Sequence, residues 1–265
     1  MILLLDIGNT HTHAGLGGPR RVARQMNLPS AHWADRRGSR PLERWLGKNR
    51  PTAVALCSVV PDVTPRVREW AARTWGLSPL ELSAQNVRGI GIDYPRPETI
   101  GPDRLANAIA ARARYGAPAL IVDFGTAVTL DVVDSRGNYV GGVIAPGLAA
   151  MTEYLHERTA LLPRIRICDV RRAIGRSTEE AMRVGAVHGY RGLIRELVRE
   201  VKAELGVRRL PVVATGGYAR LMARGLAEIG AVDPNLTLDG LRRFWLGWQG
   251  PASPQPPAHT PLGAA

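Results

Sequence analysis

Two stretches of the chain repeat one arrangement, and this repeat limits the fold more than any other feature. Each begins with an apolar run that ends in an aspartate, continues through a glycine turn and closes in a second run. The two copies are LLLDIGNTHTHAGL at 3–16 and IVDFGTAVTLDVV at 121–133. The matching positions are Asp6 and Asp123, Gly8 and Gly125, and Asn9 and Thr126. Each copy is typical of a strand, a tight turn and a second strand. We therefore expect two similar α/β halves that offer an aspartate and a glycine turn to a common cleft.

Helices and buried strands are predicted to alternate along the rest of the chain. The predicted segments are strands at 52–61 and 210–217 and helices at 41–49, 61–76, 102–116 and 177–205. Near-continuous apolar runs such as those of the two strands are typical of a sheet buried on both faces. Gly76 and Gly116 are expected to end two helices and Pro102 to begin one. Ser177 and Glu180 form a predicted capping box, in which each side chain bonds the other's backbone amide.

The domain organisation follows from the repeat. We predict a first half at 1–116, a second half at 117–248 and a tail at 249–265. The tail contains five prolines and no core-forming pattern, so we expect it to be disordered. The basic segment at 19–41 is predicted to be rich in loops.

The composition favours a globular protein of the cytoplasm. Hydrophobic residues make up 45% and charged residues 22%, as in globular domains, and no apolar run approaches the ~20 residues that cross a bilayer. Cys57 and Cys168 lack metal-ligand or disulfide spacing, which favours a reducing compartment. The net charge of +12 comes almost wholly from scattered arginines without a nucleic-acid-binding motif. We predict no membrane and no nucleic-acid partner.

The duplicated turns have the composition of a phosphate site. Glycine lets backbone amides approach a phosphate chain. Asn9, Thr10 and Thr126 can donate hydrogen bonds to its oxygens, and Asp6 and Asp123 can hold cations directly or through water. Aspartate and glycine also occur in ordinary turns, but two related copies favour function. The chain has neither a GxxxxGK[ST] loop nor a GxGxxG turn that opens a helix, which excludes two common phosphate sites.

A second stretch, TIGPDRLANA at 99–108, combines a carboxylate and a guanidinium at a helix N-terminus. The positive end of the helix favours an ionised Asp103, which can orient a substrate hydroxyl and accept its proton during phosphoryl transfer. Arg104 offers planar donors to an anionic or polar substrate group. Helix capping with a surface ion pair is the alternative. The Gly-Gly pair at 216–217 either accommodates a planar base or simply connects a strand to a helix.

Taken in order, the motifs resemble those of type III pantothenate kinases. The series is D-I-G-N-T, Y-x(6)-G-x-D-R, D-F-G-T-A, I-x-P-G, A-T-G-G and D-P-N-L-T-L-D-G-L, and it spans nearly the whole chain. The resemblance implies the acetate and sugar kinase/Hsc70/actin architecture, with two ribonuclease-H-like halves around a nucleotide cleft. It also implies ATP-dependent phosphorylation of pantothenate to 4'-phosphopantothenate, the first step of coenzyme A biosynthesis.

The resemblance further implies roles for individual residues. Asp103 is the expected general base, and Asp123 is the expected ligand of a monovalent cation, K⁺ or NH₄⁺, while Mg²⁺ accompanies ATP. The residues expected to bind ATP are Asp6, Ile7, Gly8, Asn9, Thr10, His11, Thr12, His13 and Thr126. The residues expected to bind pantothenate are Tyr94, Gly101, Pro102, Asp103, Arg104 and Thr178.

A homodimer is also implied, and the predicted helix at 177–205 offers a surface for it. Ala181, Gly185 and Gly189 repeat at i, i+4, with Gly192 close by. Glycine inside a helix costs about 0.8–1 kcal/mol relative to alanine, so the stripe needs a reason. Two explanations remain open. Either a second subunit approaches the stripe closely, with Thr178 completing the neighbouring cleft, or the stripe packs against the chain's own sheet.

Two other functions remain as alternatives. One is a different small-molecule kinase of the superfamily, against which the Tyr94 and GPDR match argues. The other is a non-catalytic transcriptional accessory protein on the same scaffold, against which the three aspartates argue. His11 and His13 share a strand face, either as a metal pair or, as we favour, as exposed alternating positions. Whether His13 faces phosphate is open at this stage.

Overall fold

The computed structural model describes residues 1–35 and 38–249, and in its first part five strands form one sheet. The elements are β1 (Ile2–Ile7), β2 (His11–Gly17), β3 (Val22–Pro29), α1 (Arg40–Leu46), β4 (Ala53–Ser58), α2 (Thr64–Trp75) and β5 (Leu80–Glu81). The strand order is β3-β2-β1-β4-β5. Strand β2 is antiparallel to β1 and β3, whereas β4 is parallel to β1 and β5.

The rest of the described chain builds a six-stranded sheet and most of the helices. Its elements are β6 (Gly91–Ile92), α3 (Pro102–Tyr115), β7 (Ala119–Phe124), β8 (Ala127–Val133), β9 (Asn138–Pro146), α4 (Leu148–Arg158), α5 (Thr178–Val184), α6 (Tyr190–Glu204), β10 (Val212–Thr215), α7 (Ala219–Ala223), β11 (Ala231–Val232) and α8 (Leu236–Gln249). The strand order is β11-β10-β7-β8-β9-β6.

The predicted duplication is present as two antiparallel hairpins. In the first, Asp6 pairs with His13, and in the second, Asp123 pairs with Thr129. The second turn is one residue shorter than the first. The fold is therefore α/β with two related sheets, as the sequence predicted.

Helices α3 and α8 lie between the two sheets, and side-chain alternation places both aspartates on that side. Leu4 of β1 and Ile121 of β7 belong to one core with α3 and α8, whereas their neighbours along each strand belong to separate outer cores. Asp6 and Asp123 lie two residues beyond Leu4 and Ile121. Because strand side chains alternate between faces, both carboxylates point into the space between the sheets.

The predicted helix ends are correct at the three positions marked by glycine or proline. Gly76 and Gly116 follow α2 and α3, both with positive φ, and Pro102 begins α3. In contrast, the expectation of loops at 19–41 is wrong for residues 22–29, which form β3. This edge strand buries only Leu28, so it lacks the apolar alternation by which sequence reveals strands.

The predicted long helix at 177–205 is interrupted. A π-helical turn at Gly185–Gly189 separates α5 from α6. The capping box is also incomplete. Ser177 Oγ accepts from the Glu180 amide at 3.2 Å, but Glu180 Oε2 accepts from the Arg176 amide at 2.7 Å and not from Ser177. Glycine is the weakest helix former apart from proline, and the regular α-helix is interrupted at the turn that begins at Gly185 and ends at Gly189.

Several elements of the described chain connect the predicted halves, and one of them is α3, which packs against β7 and β8. Strand β6 pairs with β9 of the second sheet, and α8 packs against β1, β2 and β4 of the first. The boundary between 116 and 117 stays a prediction. Of the predicted tail at 249–265, Gln249 belongs to α8, and residues 250–265 lie outside the described residues. Within the described ranges, no helix is both long and apolar enough to span a membrane.

Candidate active site

The two duplicated turns meet at one edge of the space between the sheets. The hydroxyl oxygens of Thr10 and Thr126 lie 3.1 Å apart. The amides of Gly8 and Gly125 each donate to a backbone carbonyl further along their own turn, at 3.0 and 3.1 Å. Asn9 and both threonines are exposed. The structure thus brings together the two segments in which the sequence predicted phosphate binding.

Asp6 lies at the end of β1, directly before its turn. The thiol of Cys57, on β4, lies 3.5 Å from Asp6 Oδ1 and donates to it. Burial, with the negative charges of Asp103 and Asp123, raises the pKa of Asp6 to about 8. Burial also raises the pKa of the Cys57 thiol well above its usual value, so the thiol keeps its proton. Carboxylates from three elements therefore share one poorly solvated region.

Asp123 is held by a buried carboxamide. Asn107 of α3 donates from Nδ2 to Asp123 Oδ2 at 3.0 Å, and its Oδ1 accepts from the Thr237 hydroxyl at 2.8 Å. Burial raises the pKa of Asp123 to about 7, against the hydrogen bond from Asn107. On the other side stands Gly216, at φ +88°, where a Cβ would come within 2.5 Å of Asp123 Oδ1. The close approach explains the first glycine of the Gly-Gly pair.

Asp103 occupies the first turn of α3. Its Oδ1 accepts from the Arg104 amide at 2.9 Å, and a Cβ on Gly101 would come within 2.5 Å of that oxygen. Burial raises the pKa of Asp103, although the bond from Arg104 and its positive charge act in the opposite direction. The alternative interpretation of this stretch included a surface ion pair. That part is wrong, because the ion pair of Arg104 is buried.

That ion pair involves a residue which sequence reasoning missed, Asp131 of β8. Arg104 Nε donates to Asp131 Oδ1 at 2.6 Å, and the Tyr139 hydroxyl donates to the same oxygen at 3.1 Å. The Tyr94 ring packs edge-on against Tyr139, with centroids 6.1 Å apart. An aspartate inside the apolar run VTLDVV was the available signal, since buried carboxylates need a partner.

Not every predicted ATP-binding residue points into the cleft. Ile7 belongs to the outer core. The Thr12 hydroxyl, also buried, contacts Ser30 Oγ at 3.0 Å and accepts from Trp33 Nε1 at 3.1 Å. Only the backbone of Ile7 and Thr12 can contribute to a nucleotide site. Thr178, predicted to bind substrate, begins α5 and is exposed.

The two histidines lie on the cleft side of β2. Thr12 faces the outer core, so alternation turns His11 and His13 the other way, and His13 is the cross-strand partner of Asp6. Burial and the nearby His11 lower the pKa of His13, against a hydrogen bond with Asn27. Among residues 1–35 and 38–249, no group of three or more His, Cys, Asp or Glu side chains is arranged to hold a metal ion. A pair of histidines is smaller than such a group, so the metal-pair interpretation of His11 and His13 stays open.

Two related sheets with duplicated hairpins around a carboxylate-lined cleft define a protein of the acetate and sugar kinase/Hsc70/actin architecture. The Lmo2764 protein of Listeria monocytogenes, described as an N-acetylmannosamine kinase, matches with a TM-score of 0.52 and 13% identity, over 94% of this chain and 99% of that one. A Campylobacter jejuni protein described as a Baf family transcriptional activator matches with a TM-score of 0.54 and 17% identity, over 93% and 98%. At these identities the likeness shows the fold alone, so the second match does not favour a regulatory role.

Sequence similarity gives the family. The sequence model of type III pantothenate kinase matches residues 2–200. The type III pantothenate kinase of Akkermansia muciniphila is 48% identical over 243 residues, which cover 91% of this chain and 96% of that protein. The chain belongs to the type III pantothenate kinase family.

Proposed function

We propose that this protein phosphorylates pantothenate with ATP to give 4'-phosphopantothenate, the first step of coenzyme A biosynthesis. The observation that carries the proposal is the convergence of Asp6, Asp103 and Asp123 beside the two turns joined at Thr10 and Thr126. Phosphoryl transfer needs donors for the phosphate chain, carboxylates for its cations and a base for the attacking hydroxyl. The cleft supplies all three from separate elements.

Asp103 is the proposed general base. One of its oxygens accepts the Arg104 amide, and the other is the one that would accept the proton of the pantothenate hydroxyl. Because burial raises its pKa, the carboxylate is a stronger base than an exposed aspartate, as general base catalysis favours. Tyr94, Gly101, Pro102 and Arg104 would surround the substrate.

The residues present fit the cations that the reaction would use. Asp6 and Asp123 are desolvated carboxylates, and burial together with nearby negative charges raises their pKa values to about 8 and about 7. A bound cation would compensate such charge. We propose that Asp123 holds the monovalent cation, K⁺ or NH₄⁺, and that Asp6 lies beside Mg²⁺ and ATP. When bound, these ions would neutralise charge on the phosphate chain.

The nucleotide would lie across the two turns. Thr10 and Thr126 are exposed, and their hydroxyls, which bond each other at 3.1 Å, would exchange this bond for hydrogen bonds to phosphate oxygens. Gly8, Asn9, His11 and His13 line the same side, with Ile7 and Thr12 contributing only backbone.

A coupled assay of ADP release tests the proposal. With pantothenate, ATP and Mg²⁺, we expect turnover in potassium or ammonium buffer and little in sodium buffer, and Asp123→Ala should abolish the stimulation by potassium. ADP release that does not depend on pantothenate would contradict the proposed function. Equal rates in sodium and potassium would contradict only the cation site.

We also propose a homodimer with a shared active site. Among residues 1–35 and 38–249, no atom outside the helix's own backbone lies within 4 Å of a Cβ built on Gly185, Gly189 or Gly192. Packing against the chain's own sheet, one of the two explanations for the stripe, is therefore wrong. Helix α4 lies beside the π-helical turn and exposes Met151 and Tyr154. Small residues next to exposed apolar side chains suit a two-fold contact between identical subunits.

We propose a cytoplasmic location as well, with which two unpaired cysteines are consistent.

A further inference from the structure

The carboxylate of Asp131 has no role in the reaction as described so far, yet it holds one of the proposed substrate residues. We propose that Asp131 is a positioning residue for pantothenate phosphorylation, which fixes Arg104 and, through it, the general base Asp103. The proposal rests on the function proposed above and deepens it, because it names what orients the pantothenate side of the cleft.

The contacts of Asp131 converge on that side. Its side chain is fully buried, and both oxygens are used. Oδ1 accepts from Arg104 Nε at 2.6 Å and from the Tyr139 hydroxyl at 3.1 Å, while Oδ2 lies 3.2 Å from the donating hydroxyl of Thr129. A buried carboxylate with a charged partner and two hydroxyl donors is held in one orientation.

Arg104 transmits this orientation to Asp103. Its side chain is bound to Asp131, and its backbone amide donates to Asp103 Oδ1 at 2.9 Å. The same residue is thus tied to β8 through its guanidinium and to the proposed base through its backbone. If Asp131 released the guanidinium, the first turn of α3 would lose its ion pair with β8, and the position of Asp103 would be less well defined.

The surrounding residues leave space for this arrangement. The Tyr139 ring lies under the guanidinium, with 5.7 Å from the Arg104 Cζ atom to the ring centroid. On β9, a Cβ at Gly142 would fall 3.0 Å from Arg104 Nη2 and within 1.8 Å of the Leu130 carbonyl oxygen. A side chain there would displace either the arginine or the strand. Because Nε is bound to Asp131, the terminal Nη atoms are the ones that would donate to a substrate.

A purely structural ion pair is the competing explanation, and the chain contains a suitable comparison. Arg114, at the other end of α3, pairs with the buried carboxylate of Asp233. Both pairs connect α3 to another element, but neither Arg114 nor Asp233 belongs to the proposed site. Loss of either pair is expected to lower stability. Only loss of the Asp131 pair should change the use of pantothenate.

The experiment compares Asp131→Asn with Asp233→Asn in the full-length protein. For Asp131→Asn, we expect kcat/KM for pantothenate to fall about 10- to 100-fold, as for misplaced reacting groups, with the KM for ATP within about two-fold of wild type. For Asp233→Asn, we expect both kinetic constants to match wild type despite a lower melting temperature. Unchanged kcat/KM for pantothenate in Asp131→Asn, or a KM for ATP raised as much as the KM for pantothenate, would overturn the proposal.

A second variant decides the matter if Asp131→Asn does not fold. Tyr139→Phe removes one donor to Asp131 Oδ1 but keeps the ring under the guanidinium. We expect kcat/KM for pantothenate to fall about 3- to 10-fold while the KM for ATP stays unchanged. A folded Tyr139→Phe variant with wild-type kinetics would then overturn the proposal. If wild type itself does not phosphorylate pantothenate, the proposed function fails. If wild type is active and the variants are equally active, only the role of Asp131 fails.

Discussion

The position of the Asp103 carboxylate is determined by its immediate neighbours in the sequence. Gly101 precedes the helix and leaves space for the carboxylate, Pro102 begins α3, and the Arg104 amide holds Oδ1. A helix begins here because proline has the φ angle of a first helical residue and needs no amide partner. The local sequence is therefore sufficient to bring a carboxylate to the helix N-terminus, and the tertiary structure buries it.

We predict that Asp103→Asn lowers turnover by about 10²–10⁴-fold, the usual contribution of a general base. The amide oxygen can still accept from the Arg104 backbone but cannot take the substrate proton. The fold and ATP binding should remain nearly intact. Steady-state ADP release measures the first effect, and titration with a fluorescent ATP analogue measures the second. Full turnover in this variant would remove Asp103 from the mechanism.

The Gly-Gly pair permits a matched comparison at single-residue scale. Gly216 has φ +88° and lies against Asp123, whereas a Cβ on Gly217 meets no atom within 4 Å in the part of the chain that the structure describes. We predict that Gly216→Ala lowers the free energy of unfolding by about 1–3 kcal/mol, because it adds left-handed strain and a steric clash. Gly217→Ala should change it by only a few tenths of a kcal/mol. Urea denaturation measures both, and equal effects would contradict the close packing at Asp123.

At the scale of elements, the interrupted helix at α5 and α6 is the least regular feature beside the proposed interface. The π-helical turn at Gly185–Gly189 widens the helix by one residue, and such turns often occur at functional sites. It leaves the glycine stripe open on the surface while Ala186 and Val187 pack inward. The turn therefore separates an inward-packed face from one available to a second subunit.

We predict that two inactive variants complement each other if the active site is shared. Asp103→Asn removes the proposed base, and Thr178→Tyr blocks the residue that would reach the neighbouring cleft. After subunit exchange, one cleft of each heterodimer has both wild-type residues, so part of the activity should return. Separate incubation of each variant provides the control. Exchanged mixtures without activity, or a fully active monomer, would rule out a shared site.

At the scale of the whole molecule, the two sheets bring buried acidic groups together, and stability should depend on pH for that reason. The ordinary pKa of Asp6 is 3.8, and in the folded chain it is about 8. Between these values the folded state binds more protons than the unfolded state. The stabilisation is therefore fully present below about pH 4 and is lost as the pH rises through about 8. Asp123 contributes in the same direction up to about pH 7.

We predict that, without added potassium and magnesium, the free energy of unfolding falls between about pH 5 and pH 8, with a slope of at most about 1.4 kcal/mol per pH unit for each group. Asp6→Asn should reduce the slope below that of wild type. Chemical denaturation at several pH values measures both slopes. A slope in Asp6→Asn equal to that of wild type would contradict the assignment to Asp6.

The sequence by itself determined the features that depend on local chemistry. The two strand–turn–strand copies, the start of α3 at Pro102 and the ends at Gly76 and Gly116 follow from alternation and from the backbone preferences of glycine and proline. The family resemblance also depended on short motifs of this kind. Strand β3 was missed because an edge strand buries little and so lacks an apolar pattern.

Only the tertiary structure decided which distant residues share the cleft. Asn107 meets Asp123, Cys57 meets Asp6, and Asp131 meets Arg104, each across different elements. No local pattern specifies these pairs, because two of them depend on how α3 packs against the second sheet and the third depends on the pairing of β1 with β4. The pKa values of the carboxylates belong to the same category, since burial raises them and a linear sequence does not specify which aspartates lose their water.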